Sequence, residues 1–185
     1  MIPYMPRALL IIDIQQDYFP GGAFPLVEPE AAAEAAHTLL DRFRTRGEPV
    51  IHVRHVSPEP DAGFMRPGTE GVEIHPLVAP SGDERVIEKG APNSFLDTGL
   101  KDTLDADGID ELVVVGMMSS MCVDATVRAA ADLGLKVTVA HDGCAAPDLR
   151  FGNTHVPGES VHAAFMAALD GTYATVVDSE ELATD

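Results

Sequence analysis

The chain has 185 residues, 45% of them hydrophobic, with 30 acidic against 12 basic side chains for a net charge of −18. That length fits a single domain, taken here as 1–185, with enough chain to bury a substantial core. Nucleic acid and anionic membrane surfaces are disfavoured as partners, because phosphate recognition needs basic side chains. No apolar stretch reaches the length of a membrane span, and two cysteines are too few for a disulfide scaffold. Met1–Arg7 lacks a charged segment leading into an apolar run, so no signal peptide is expected and a cytoplasmic, reduced protein is the expectation. The acidity is spread along the chain, as a solvated surface or as an adaptation to high salt in which counterions screen self-repulsion.

Ala8–Ile12 is a continuous apolar run ending at Asp13, which reads as a strand buried on both faces. Tyr18-Phe-Pro-Gly-Gly22 breaks the chain. Pro29 opens a helix through Ala31 to Arg46, with Gly47 just past its end. Pro49–His55 is a second strand, and a Pro- and Gly-rich loop then runs over 57–82. That is too long for a plain connector, so a functional loop or a subunit contact is expected there. Arg85–Lys89 is a third strand, Ser94 to Asp107 a helix interrupted by Gly99, and Leu112–Val115 a fourth strand. A helix from about Met121 to Leu133 ends at Gly134; Lys136–Ala140 is a fifth strand, Ser160 to Leu169 a helix and Thr172–Val177 a sixth strand. Strands alternating with helices predict an α/β protein, a doubly wound, mostly parallel six-stranded sheet with helices on both faces in a Rossmann-like three-layer arrangement. In such sheets ligands bind beyond the carboxyl ends of the strands, near the switch in strand order.

Three reactive groups stand at equivalent places in this pattern: Asp13 ends the first strand, Lys89 ends the third and Cys122 follows the fourth. Cys122 is predicted in the first turn of a helix, where unpaired N–H groups and the helix dipole favour thiolate and can stabilise an oxyanion. Taken singly each has a structural reading: Asp13 a turn residue, Lys89 a solvated lysine, Cys122 a small core residue. Placed together on one sheet edge, an acid, a cation and a thiol form a plausible nucleophilic site.

These segments resemble the isochorismatase-like cysteine hydrolase superfamily, which includes nicotinamidases and N-carbamoylsarcosine amidohydrolases. The resemblance rests on Leu-Leu-Ile-Ile-Asp13-Ile-Gln-Gln-Asp17-Tyr-Phe, on Val-Ile-Glu-Lys89 followed by Ser94-Phe, and on Gly116-Met-Met-Ser-Ser-Met-Cys122-Val-Asp-Ala-Thr126. Arg66-Pro-Gly-Thr69, Glu73-Ile-His-Pro76 and Ala140-His-Asp142-Gly-Cys-Ala match as well, in family order from residue 8 to about 146. The resemblance implies a catalytic triad of Asp13, Lys89 and Cys122, backbone N–H groups of Cys122 and Met118 as oxyanion hole, and a cis peptide at Met117–Met118. It implies C–N hydrolysis of a small amide or carbamoyl or ureido compound through a thioester, with no cofactor, in a homo-oligomer. Isochorismatase-type enol-ether hydrolysis is the competing enzyme reading, and an intact Cys122 argues mildly against it. A thiol redox or sensing protein, or an interaction protein acting through the 57–82 loop, are the alternatives from other classes. Dinucleotide binding is unlikely on sequence, because no Gly-x-Gly-x-x-Gly follows the first strand.

The remaining polar and aromatic residues divide between site and scaffold. Tyr18 and Phe19 are candidates for substrate binding, against packing of the Pro-Gly turn; His55, near a strand end, and Phe151 are further candidates. His52, His55 and His75 are the residues that could form a metal site. Nicotinamidases place a metal on an Asp-Trp-His-Pro type segment, whereas this chain has no Trp and reads His52-Val-Arg-His55-Val-Ser-Pro58, so no metal is expected. Asp17 is expected to orient its loop, Thr126 to bond backbone, Cys144 to be structural, and Arg54 to be a solvated strand-end charge. Arg66 and Thr69 are placed at a substrate or subunit contact.

Overall fold

The structure, a computed structural model, describes residues 6–183. The reading of Met1–Arg7 as lacking a leader falls mostly outside those residues. Strands β1 (Arg7–Ile12), β2 (Val50–His55), β3 (Arg85–Lys89), β4 (Glu111–Met117), β5 (Lys136–Ala145) and β8 (Thr175–Val177) form one sheet in the order β3-β2-β1-β4-β5-β8. Every pairing in it is parallel. β1 lies at the centre, bonded to β2 on one side and β4 on the other, which is why its sequence is an unbroken apolar run.

The two faces of the sheet are covered separately. Leu9 and Ile11 of β1 pack with Leu39, Leu40 and Phe43 of helix α1 (Pro29–Arg46). Ala8, Leu10 and Ile12 point the other way, into a core shared with α2 (Leu100–Ala106), α3 (Asp124–Asp132) and α4 (Gly158–Leu169). Strand periodicity of two thus sorts one segment between two cores. α1 is bracketed as its sequence signals require: Pro29 begins it, and Gly47 closes it at φ +66°, donating its N–H to Arg44 and Phe43 carbonyls.

Several elements differ from the sequence expectation. The helix over Ser94 to Asp107 begins at Leu100; before it, Ser94–Thr98 is a turn held by side chains, with Thr98 Oγ1 donating to Ser94 O and Asn93 Oδ1 accepting from Phe95 N–H. β5 continues five residues further than expected, to Ala145. A two-stranded antiparallel hairpin, β6 (Leu149–Phe151) with β7 (Thr154–Val156), follows it. β8 starts at Thr175, because Thr172–Ala174 are bonded back onto Leu169 at the end of α4. No helix of the described residues is long and apolar enough to cross a membrane.

The 57–82 loop folds onto its own chain. Met65 N–H donates to Asp17 Oδ2 at 2.6 Å, Gln15 Nε2 donates to Val72 O at 2.7 Å, and Gln15 bridges to Ile74. The strand order reverses between β1 and β4, so the crevice beyond their carboxyl ends is the expected ligand position.

Candidate active site

β1, β2, β3 and β4 deliver one side chain each to that crevice. Asp13 follows β1 with φ +52°, a left-handed conformation that Asp tolerates better than most residues. Its N–H donates to Val53 O of β2. His55 and Lys89 are the last residues of β2 and β3 and stand in register with each other. β4 leads through the cis peptide Met117–Met118 into a π-helical turn, Ser119–Val123, that carries Cys122 ahead of α3. The cysteine is therefore in a wide turn preceding the regular helix, not in the helix itself. Gly116 permits the close approach of β4 to β1: a Cβ there would lie 2.2 Å from Ile12 O.

Asp13, Lys89 and Cys122 are 0%, 3% and 5% exposed. The Lys89 ammonium joins the site. Its Nζ lies 2.6 Å from Asp13 Oδ2, donates to Cys122 Sγ at 3.3 Å and donates to His55 Nδ1 at 3.1 Å. The Asp13 contact is an ion pair by distance; among the described residues neither carboxylate oxygen has a donor in hydrogen-bonding alignment.

Burial dominates the proton affinities here. It raises the Asp13 pKa above the ordinary carboxylate value, and the opposing charge of Lys89 does not fully offset it. Cys122 is pushed up to about 12, first by burial and then by the charge of Asp13, against the smaller pull of Lys89. Burial thus opposes the thiolate that the turn ahead of α3 would favour. His55 is lowered to about 4 by burial and by Lys89, so it is a neutral acceptor toward the ammonium. Tyr18 is raised well above its ordinary value by burial, then by the charges of Cys122, Asp13 and Asp17.

The other candidates divide. His55 is brought to Lys89, and Phe64 of the long loop lies parallel to His55 and also packs on Tyr18 and Phe24. Phe19 is buried and stacks on His75 with ring centroids 4.0 Å apart, a packing role. Phe151 is 88% exposed on the hairpin, whereas Asp13, Lys89 and Cys122 are buried. The three histidines weighed as a metal set do not converge. His52 is buried against Glu84 at 2.9 Å, His75 accepts from Leu77 N–H beneath Phe19, and His55 faces Lys89.

Asp17 holds its loop, accepting from Ala23 and Met65 N–H groups, and Gly71 packs so close that a Cβ would meet its carboxylate at 2.1 Å. Thr126 accepts from Ser94 N–H at 3.0 Å and pairs with Ser94 Oγ at 2.8 Å, tying the segment after Lys89 to the cysteine helix. Arg54 is held between Glu73 and Glu88 instead of standing free in solvent. Arg66 and Thr69 form a local turn, with Thr69 Oγ1 donating to Arg66 O. Asp124 pairs with Arg128 on the surface of α3. Cys122 and Cys144 are both free thiols.

Two residues escaped the sequence reading. Gln15, fully buried, donates to His55 O and Val72 O and accepts from His55 N–H. Its carboxamide clamps both backbone groups of the residue that faces Lys89. Phe64 lies in a Pro- and Gly-rich loop with no periodicity to flag it, though a lone aromatic between glycines is a weak signal of burial.

A parallel α/β sheet thus brings a buried thiol, carboxylate and ammonium together at its switch point. The isochorismatase domain model matches residues 7–181. The isochorismatase family protein YddQ of Bacillus subtilis (strain 168) is 52% identical, over 95% of this chain and 98% of that one. The nicotinamidase of Escherichia coli (strain K12) is 32% identical, again over 95% of this chain and 98% of that protein. A crystal structure described as an isochorismatase hydrolase from Oleispira antarctica superposes with a TM-score of 0.96 at 49% identity, covering 100% of both chains. The chain belongs to the isochorismatase family, and it is a hydrolase.

Proposed function

We propose that this chain hydrolyses a C–N bond in a small amide or carbamoyl or ureido compound through a thioester on Cys122, releasing ammonia or an amine. The observation that carries the proposal is the single ammonium of Lys89 in contact with both the Asp13 carboxylate and the Cys122 sulfur. Amide cleavage by E. coli nicotinamidase, as its name states, supports the choice of bond.

In this mechanism Asp13, made a stronger base by burial, takes the thiol proton as sulfur attacks the carbonyl carbon. Proton loss and C–S bond formation belong to one step, because a thiol held near 12 contributes little free thiolate at neutral pH. Lys89 lies against both groups and compensates the negative charge that moves between them. The carbonyl oxygen takes up the electron pair and is bound by the backbone N–H groups of Met118 and Cys122. Collapse expels the amine, protonated by Asp13. Water, deprotonated by Asp13, then attacks the thioester and regenerates the thiol. Tyr18, His55 and Phe64 bound the substrate beside this centre.

A sensing role for the thiol is disfavoured by the same site, since redox-sensor cysteines are low-pKa and accessible, whereas Cys122 is buried and protonated. The reading carries with it a cytoplasmic location, a small-molecule partner in place of nucleic acid or membrane, no cofactor, and a homo-oligomeric assembly.

The test is ammonia release across nicotinamide, carbamoyl amino acids, ureidoacrylate-like compounds and biuret, with Cys122→Ala as control. Turnover of at least one compound is expected, lost by about 10³-fold or more in the variant while circular dichroism stays unchanged. A slow substrate should leave an acyl mass on the Cys122 peptide. Full activity in Cys122→Ala would end the covalent scheme.

A further inference from the structure

Asp13, His55 and Cys122 turn one donor atom each toward a common space: a carboxylate oxygen, an imidazole nitrogen and the sulfur, all within 4.8 Å of one another. A cation already sits among them, the Lys89 ammonium, at 2.6, 3.1 and 3.3 Å from the three groups. The carboxylate is fully buried and has no aligned donor on either oxygen among the described residues. It is a buried anion with lone pairs to give.

The donor set discriminates among ions. Magnesium and calcium take oxygen ligands. One thiolate, one imidazole and one carboxylate suit zinc, and three protein ligands with a fourth position left open is the arrangement of zinc sites that admit water or a small molecule. Tetrahedral zinc places its donors about 3.5 Å apart, so donors within 4.8 Å need to close by about an ångström, which side-chain torsions can supply.

We propose that this cage is an inhibitory zinc site. Zn²⁺ bonds to the Asp13 carboxylate, a His55 ring nitrogen and Cys122 sulfur. The thiol proton leaves to solvent, the Lys89 ammonium swings out of the cage, and no group changes oxidation state. The sulfur lone pair that would attack a carbonyl is then engaged by the metal, and the base is engaged with it. Lys89 is in this view the resident competitor of the ion, which has an unusual consequence: deleting the lysine tightens metal binding. The inference stands on the placement of donors and does not need the amide-hydrolase reading.

The experiment titrates the intact protein with Zn²⁺ and with Co²⁺ as a spectroscopic probe, measuring bound metal per chain and the near-ultraviolet sulfur-to-cobalt charge-transfer band. One ion per chain with that band is expected, the band absent in Cys122→Ala and the affinity at least tenfold weaker in His55→Ala. Lys89→Ala, or Lys89→Met if the smaller residue prevents folding, should bind at least tenfold more tightly than the natural chain. No charge-transfer band in the natural chain, an unchanged band in Cys122→Ala, or weaker binding in a folded Lys89 variant would overturn the proposal. The spectra also separate its failure from that of the hydrolase reading: absent ammonia release leaves the band intact, and an absent band leaves turnover intact.

Discussion

The protonated state of Cys122 has a measurable consequence in its alkylation kinetics. An ordinary thiol near 8.5 is about one-quarter ionised at pH 8, whereas one at about 12 is ionised to about one part in ten thousand. Iodoacetamide, which reacts with thiolate, should therefore modify Cys122 on the order of a thousandfold more slowly than free cysteine at pH 8. The rate should climb tenfold per pH unit through pH 10 without a plateau. Replacing Asp13 with Asn separates the two roles of the carboxylate, because Asp13 raises the thiol's proton affinity and Lys89 lowers it. With the negative charge gone, alkylation at pH 8 should accelerate while amide turnover collapses for want of a base. Mass spectrometry of the Cys122 peptide over time reads the first effect and ammonia release the second. A rate within tenfold of free cysteine at pH 8, a plateau below pH 9, or slower alkylation in Asp13→Asn would refute the argument.

Two further outcomes concern stability. Gln15→Leu keeps the volume but leaves His55 N–H, His55 O and Val72 O without their partner; orphaning them should cost about 3 kcal/mol or more, read from the urea midpoint, and a loss under about 1 kcal/mol would show the groups rehydrate freely. For Glu84, burial opposes ionisation but Arg44, Ser81 N–H and His52 outweigh it and hold the carboxyl at about 2 against 4.5. A depressed folded pKa contributes stability that is complete above about 4.5 and lost as pH falls toward 2. Tm should fall more steeply with acid across that window in the natural chain than in Glu84→Gln, and parallel curves would remove Glu84 from the acid response.

What the sequence displayed follows from how local each cause is. β1 and β4 were legible because burial on both faces writes an apolar run, and α1 because proline and glycine mark its ends. The Ser94–Thr98 turn is hidden in sequence because side chains hold it, among them Thr98, Asn93 and Thr126, the last 32 residues away from Ser94. The β6–β7 hairpin has three-residue strands with almost no buried side chains, so no hydrophobic alternation announces it. At the site, Asp13, Lys89 and Cys122 stood out because strand ends are visible in sequence. Gln15 did not, since its partners lie 40 and 57 positions along the chain. The turn that carries Cys122 is visible in sequence, whereas the burial that raises the thiol's proton affinity is not.

Adjacent parallel strands sit about 4.8 Å apart, and Asp13, His55 and Lys89 close three strands that neighbour one another. The spacing of the reactive groups is thus a property of the sheet lattice and owes nothing to the length of the segments that join the strands. The hairpin, and the positions of 57–82 other than Phe64, Met65 and Val72 that touch the site's supports, can change while the chemistry keeps its dimensions. A scaffold of this kind separates what is cut from how it is cut, so new substrates can be reached by rewriting loops alone, and loop libraries are where a redesign of this enzyme should begin.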